Sequence, residues 1–186
     1  KGAEAVLVGE DGKPVSKSVA ESARPIPEGK DFRAPYDQSK KDFTDRDLTD
    51  ASLRDVDLME AVFKGVKAAR ADFSGTDISA AVFENADLSE VDFRRARMRW
   101  PTFNRCTLSK ANFEGMDLSM VHLNVVKLDG ANLRKLKGIG TVNQGDFTGA
   151  DLRGADLSKF GDGAMGKPVF TGAQYDKRTK WPAGFD

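Results

Sequence analysis

The sequence predicts an all-β solenoid, in which the chain winds into stacked coils around a core of regularly spaced large residues. Two observations predict this fold. From Phe43 to Leu133 a large apolar residue returns at every fifth position, and Ala68 is the single small exception. A small or short residue stands two positions before most of these, as Ala71 stands before Phe73. Each repeat therefore has two side chains that can point into a common core.

A period of five fits neither an α-helix nor a flat strand. In a helix, five residues turn the side chain about 140° beyond a full turn, so the apolar residues would spiral around the axis. In a strand, five is an odd number, so successive apolar residues would lie on opposite faces of the sheet. A coil that turns a corner after every repeat brings all of them inside.

A coil of four repeats, or twenty residues, also sorts the apolar residues by type. Residues twenty apart then stack at about 4.8 Å, the spacing of neighbouring strands. Two opposite columns are aromatic: Phe43, Phe63, Phe83 and Phe103, and Phe73, Phe93 and Phe113. The columns between them are aliphatic: Leu48, Leu88, Leu108 and Leu128, and Leu58, Ile78, Met98 and Leu118. The period alone does not require this sorting, so it supports four repeats per coil.

Many repeats also carry Asp or Asn directly before the large residue. Clear cases are Ala71-Asp72-Phe73-Ser74-Gly75, Ala86-Asp87-Leu88-Ser89-Glu90 and Ala111-Asn112-Phe113-Glu114-Gly115. Over residues 41–159, with one break, the chain resembles the pentapeptide-repeat family, whose consensus is A-(D/N)-L-x-x. The resemblance implies a right-handed quadrilateral β-helix with four repeats per coil.

The repeats divide the chain into three parts. Residues 1–40 form a non-repeat N-terminal arm, residues 41–175 the β-helix, and residues 176–186 a C-terminal cap or tail whose aromatic residues cover the last coil. The period breaks at 136–144 and again at 160–167, which predicts two surface loops. One outer column is less polar than a solvated face should be: Val62, Val82, Thr102 and His122. We expect the arm or a second subunit to pack on this column, so a homodimer stays open.

Composition argues against several functions. The 29 basic and 29 acidic residues cancel, so overall charge indicates neither a nucleic-acid binder nor an acidic mimic of one. Cys106 takes an inward position usually held by Ala, which predicts an inert thiol, and His122, the single histidine, faces outward. We find no catalytic constellation and expect no enzyme activity, no cofactor and no metal site.

No apolar run is long enough to span a membrane. The chain begins at Lys1 rather than Met. Removal of a targeting segment is therefore one expectation, and an exported or lumenal location stays open with it. The sequence does not identify the compartment.

The most unusual surface feature is a cationic corner, and its residues are our candidate partner-binding site: Arg94, Arg95, Arg97, Arg99 and Trp100. Guanidinium groups bind carboxylate or phosphate with two parallel hydrogen bonds, and Trp can stack on a base or a cation. The alternative is a structural role, in which Arg97 lies between Asp77 and Asp117 in a charge ladder.

These observations favour a non-catalytic binding or scaffold module whose partner is another protein of unknown identity. The alternative is binding of nucleic acid or another anionic ligand at the cationic corner, with an affinity that falls steeply as salt is added. The family resemblance also implies a minor alternative, interaction with DNA gyrase by imitation of DNA. Residues 41–160 carry 18 basic and 19 acidic residues, and this near-neutral charge disfavours DNA mimicry.

Overall fold

The computed structural model describes residues 41–160 and 167–185, and in this part the chain forms a four-sided β-helix without any α-helix. The predicted solenoid is confirmed. One side carries a parallel sheet whose five strands follow chain order: β1 (Val62–Lys64), β2 (Val82–Glu84), β3 (Thr102–Asn104), β4 (Leu118–Lys127) and β5 (Ile139–Asp146). Isolated parallel bridges, such as Asp72↔Asp92, join the coils on the other sides.

The strand register confirms the coil length of twenty residues. Phe63 pairs with Phe83, and Phe83 pairs with Phe103. Each large residue of a repeat therefore lies directly above its equivalent in the previous coil. Between the last two strands the register shifts: Leu118 pairs with Ile139, and after an irregularity His122 pairs with Thr141, one residue short of the regular spacing.

The aromatic columns form a continuous stack through the first coils. The ring centroids of Phe63 and Phe83 lie 4.5 Å apart, and those of Phe83 and Phe103 lie 4.6 Å apart. The opposite column meets this stack edge-on, with Phe73 5.8 Å from Phe63 at an angle of 67°. All of these rings are fully buried, and each contributes about 1.5–3 kcal/mol of hydrophobic free energy.

The Asp before each large residue holds the corner of the coil. The carboxylate of Asp72 accepts a hydrogen bond of 2.9 Å from the backbone N–H of Ser74, and Asp87 accepts one from Ser89 at 3.1 Å. In most of these turns the next residue has a positive φ, 74° at Gly75. Asp and Asn recur in the sequence because their short side chains make this local bond.

The prediction of a surface loop at 136–144 is wrong. Most of this segment belongs to β5, which pairs with β4, and Leu136, Ile139 and Val142 are buried. The coil is one residue shorter here, so the period of five breaks while the β-helix continues. Gly140 permits the close approach of the two strands, since a Cβ at this position would lie 2.4 Å from the carbonyl oxygen of Val121.

The predicted boundary at residue 175 is also wrong, because strand pairing continues to Lys180, which pairs with Asp156. Thr179 is buried, and its hydroxyl donates to the carbonyl of Leu152 at 2.9 Å. Trp181 then packs against the core and covers this end of the rod. The predicted arm (1–40), and all but the ends of the predicted loop at 160–167, lie outside the described residues.

Candidate partner-binding groove

A groove of about 890 Å³ separates two successive coils at the corner that carries the arginine cluster. We call it the arginine groove. Residues 94–99 form its lower rim and most of residues 114–120 form its upper rim. Arg54, Ser74 and Lys137 complete the lining from neighbouring coils.

Below the groove the backbone hydrogen bonds between coils are complete. The N–H of Ile78 donates to the carbonyl of Arg97 at 3.0 Å, and the N–H of Arg97 donates to the carbonyl of Thr76 at 2.8 Å. One coil earlier, the N–H of Leu58 donates to Asp77 at 2.8 Å. This side is thus a regular parallel ladder up to the arginine rim.

Across the groove the ladder is interrupted. Within the described part of the chain, four donors that the register would pair make no backbone hydrogen bond: the N–H groups of Arg95, Met98, Trp100 and Asp117. Bonds are present on both sides of the gap, from Phe93 to Asn112 and from His122 to Pro101, each at 3.0 Å. The two coils therefore separate locally and rejoin.

Two features of the corner accompany the separation. Pro101 replaces the Ala81 of the coil below, whose N–H closes the turn by donating to Ile78 at 3.1 Å. Because Pro101 has no N–H, the equivalent turn bond to the carbonyl of Met98 cannot form. On the upper rim, β4 continues through the corner, where its register against β5 shifts between Leu118 and His122, and Met120 lacks the positive φ that Ala80 and Trp100 adopt (56° each). The upper coil therefore does not repeat the corner of the coil below it.

The groove is positively charged although the chain is neutral. Six cationic side chains line it against two carboxylates, those of Glu114 and Asp117. Two of the cations are neutralised by salt bridges, Arg54 with Asp72 at 2.9 Å and Arg94 with Asp92 at 2.7 Å. The rest of the positive charge faces the groove.

Three cations of the groove have no ion-pair partner among residues 41–160 and 167–185: Arg95, Arg99 and Lys137. Arg97 is held only loosely, with 3.9 Å between its guanidinium and the carboxylate of Asp77 and a side chain that is 79% exposed. These groups can meet an anion without first breaking a strong salt bridge.

The floor of the groove is apolar. Ala96, Met98 and Met116 point into the core but are 6–8% exposed, whereas Ile78 and Leu58, on the same side of the rod, are completely buried. The gap between the coils therefore reaches the hydrophobic core. A cationic rim above an apolar floor can take a ligand that has both kinds of group.

The structure brings together four of the five predicted site residues. Arg94, Arg95, Arg97 and Arg99 all line the groove, whereas Trp100 is 62% exposed and lies outside the lining. The predicted ladder of Arg97 with Asp77 and Asp117 is only half formed, because the coils separate before Asp117.

Sequence reasoning missed Arg54 and Lys137. Arg54 could have been found, because it stands forty residues before Arg94 and hence in the same column. Lys137 was assigned to the loop that proved to be part of the β-helix.

No reactive centre accompanies the groove in the described residues. Burial raises the pKa of the Cys106 thiol to about 11, so this side chain stays protonated at neutral pH. His122 is exposed, as predicted. In the described ranges no three His, Cys, Asp or Glu side chains come together as metal ligands, and no helix of membrane-spanning length occurs.

Comparison with known proteins agrees with the fold. Residues 56–133 match the family model for the pentapeptide repeat region. The crystal structure of HetL, a pentapeptide repeat protein involved in heterocyst differentiation regulation in Nostoc sp. strain PCC 7120, superposes with a TM-score of 0.57 at 20% identity, covering 77% of this chain and 90% of HetL.

Two more distant structures also align with the chain. A second pentapeptide repeat protein from Nostoc PCC 7120 aligns with a TM-score of 0.31 at 20% identity, covering 80% of this chain and 79% of its own. The fluoroquinolone resistance protein QnrB1 aligns with a TM-score of 0.32 at 18% identity, covering 73% of this chain and 84% of its own. No curated protein sequence matches the chain significantly. These likenesses concern the fold alone.

Proposed function

We propose that this chain, which belongs to the pentapeptide-repeat family, is a non-catalytic binding module for another protein. The arginine groove is its binding surface. The ligand is an acidic segment of the partner.

The observation that carries this proposal is the excess of cations in the groove of a neutral chain. Arg95, Arg99 and Lys137 can each donate hydrogen bonds to a carboxylate, and a guanidinium can do so with two parallel bonds.

An acidic protein segment fits the groove better than nucleic acid does. Continuous binding of a nucleic acid strand needs a basic track with aromatic residues on which bases stack. Here Trp100 lies outside the lining, and Glu114 and Asp117 interrupt the positive charge. Imitation of DNA toward gyrase would need a strongly acidic rod, which the balanced charge of residues 41–160 does not supply.

Selection from a random peptide library tests the proposal without knowledge of the partner. The full chain is panned against a phage-displayed dodecapeptide library, and the selected peptides are measured by fluorescence anisotropy. They are tested against Arg95→Glu/Arg99→Glu and against a control with equal charge change, Arg105→Glu/Lys127→Glu. All four positions are exposed. A labelled single-stranded oligonucleotide is titrated in parallel.

We expect the selected peptides to be rich in Asp and Glu. Their affinity should fall roughly tenfold or more with the groove variant, about 1.4 kcal/mol, and remain unchanged with the control. Selected peptides without an acidic excess, or equal loss with both variants, would contradict the proposal. Tighter binding of the oligonucleotide, lost with the groove variant alone, would replace the protein ligand with nucleic acid.

A further inference from the structure

The gap in the arginine groove presents the backbone groups of two facing sheet edges. Within the described residues, three pairs that the register would join are open: Arg95 N–H with Glu114 C=O, Met98 N–H with Asp117 C=O, and Asp117 N–H with Ala96 C=O. The N–H of Trp100 is also open, whereas the carbonyl oxygen of Ser119 lies against β5, 2.8 Å from where a Cβ on Gly140 would be. Unpaired N–H and C=O groups along a strand are a template for another strand.

A peptide strand can supply the missing bonds. In β-augmentation, an extended segment adds to a sheet edge through backbone hydrogen bonds, while alternate side chains enter pockets that give specificity. The edges of this gap belong to one chain and are held in place, because the ladder is intact on both sides of it, at Phe93–Asn112 and Pro101–His122. A bound strand therefore does not have to order the site.

The rims of the gap determine which side chains such a strand needs. Along the lower rim Ala96 and Met98 point inward, and Arg97 and Arg99 point outward and are exposed. Successive side chains of an inserted strand point inward and outward in the same alternation. Its inward residues would meet the apolar floor, and its outward residues would meet the guanidinium groups.

We infer that the arginine groove binds an extended segment in which acidic and apolar residues alternate, and that this segment pairs through its backbone with the open N–H groups of the lower rim. The inference rests on the proposed function, which concerns only the acidic character of the ligand. It adds the conformation of the ligand, its period of two and its backbone bonds.

Three synthetic hexapeptides of closely related composition separate these elements. The first is Glu-Val-Glu-Val-Glu-Val, with blocked termini. The second has the same residues in block order, Glu-Glu-Glu-Val-Val-Val. The third is the alternating peptide N-methylated at each valine, which retains its side chains but loses half of its backbone donors. Affinities are measured by calorimetry with the full chain, with Arg95→Glu/Arg99→Glu and with the control Arg105→Glu/Lys127→Glu.

We expect the alternating peptide to bind about tenfold tighter than either of the others. The N-methylated peptide loses backbone hydrogen bonds of about 0.5–1.5 kcal/mol each, and the block peptide keeps its backbone donors but cannot place every valine inward and every glutamate outward. The groove variant should weaken its binding and the control should not. In NMR hydrogen exchange, the same peptide should protect the amides of Arg95, Met98 and Trp100.

The other outcomes contradict either the bound strand alone or the acidic ligand as well. Equal affinity for the three peptides, or binding without protection of these amides, would refute the inserted strand and leave the acidic ligand intact. Binding of panned acidic peptides but not of the alternating hexapeptide would do the same. If neither kind of peptide binds, the proposed function fails, and the inference fails with it.

Discussion

Two neighbouring coil pairs on one side of the rod share the five-residue core pattern but differ in their backbone hydrogen bonds. The coils that carry Ile78 and Met98 are joined by backbone hydrogen bonds, and Ile78 is fully buried. The coils that carry Met98 and Leu118 are separate at the same place, although both follow the five-residue pattern equally well. The core residues alone therefore do not decide whether two coils are joined.

The difference lies in the corner. In the lower pair, Ala80 has a positive φ and Ala81 closes the turn with its N–H. In the upper pair, Pro101 has no N–H to give, and Met120 continues a strand instead of turning. A regular solenoid can thus acquire a groove through changes at a corner, while the hydrophobic columns hold the coils above and below.

The largest expected effect comes from the core of the regular region. Phe83→Ala should lower the free energy of unfolding by about 3–5 kcal/mol, because its ring stacks between Phe63 and Phe103. Met98→Ala, at the floor of the gap, should lower the free energy of unfolding by about 2 kcal/mol, the low end for a buried Met. The reason is that the Met98 side chain lacks packing neighbours on the side of the gap. Urea denaturation of both variants measures the difference.

Equal costs for these two variants would mean that the gap is closed in solution. A harsher change serves as a check on the register: Phe83→Asp places a charge in the aromatic stack and should prevent folding of the central coils. A Phe83→Asp protein that melts like the parent would contradict the register itself.

A smaller effect is expected where β5 pairs with β4. Gly140→Ala would place a Cβ 2.4 Å from the carbonyl oxygen of Val121 and 2.8 Å from that of Ser119. Both are backbone atoms, so the two strands must move apart, at a cost of about 2–3 kcal/mol.

Gly115→Ala is the control for this prediction. A Cβ there has no neighbour within 4 Å, and the positive φ of 70° alone should cost roughly 1 kcal/mol. Thermal melts compare the two variants, and a Gly140→Ala protein as stable as Gly115→Ala would show that the strands are not closely apposed.

The period of five predicted the parts of this fold that are set by side-chain burial. It placed the aromatic columns, the inward Cys106 and the outward His122, because each repeat has only one inward-facing large position. The same register placed the arginines together at one corner, and four of the five residues predicted there line the groove.

Sequence reasoning did not predict the gap, because it depends on backbone conformation. Met120 occupies a position that tolerates many residue types, and nothing in its side chain signals the loss of a positive φ. The shortened coil was mistaken for a loop, although Leu136, Ile139 and Val142 are apolar at a spacing of three and could have indicated a buried segment.

The smallest expected effect is an acid-induced loosening of corners. Hydrogen bonds from the side chain and backbone of Ser119 lower the pKa of Asp117 from its ordinary value of 3.8. Lys180 and Ser158 lower the pKa of Asp156 to about 2. A carboxyl group whose pKa is lower in the folded state than in the unfolded chain stabilises the fold at any pH above its ordinary pKa. This contribution is lost as the pH falls through the pKa of the folded state.

The rod should therefore keep its stability down to the ordinary pKa of 3.8 and lose it progressively toward about pH 2, where Asp156 is half protonated. Thermal melts followed by circular dichroism across this interval measure the loss. An unchanged melting temperature over the whole interval would show that these carboxylates do not stabilise the corners.

Hydrogen exchange at two equivalent amides tests the open ladder most directly. Ile78 and Met98 occupy the same position one coil apart, and only Ile78 donates a backbone hydrogen bond, to Arg97 at 3.0 Å. We expect the Met98 amide to exchange about a hundredfold faster than that of Ile78, measured by NMR on the unliganded chain. Equal protection of the two amides would mean that the ladder is continuous, and the groove would then not exist in solution.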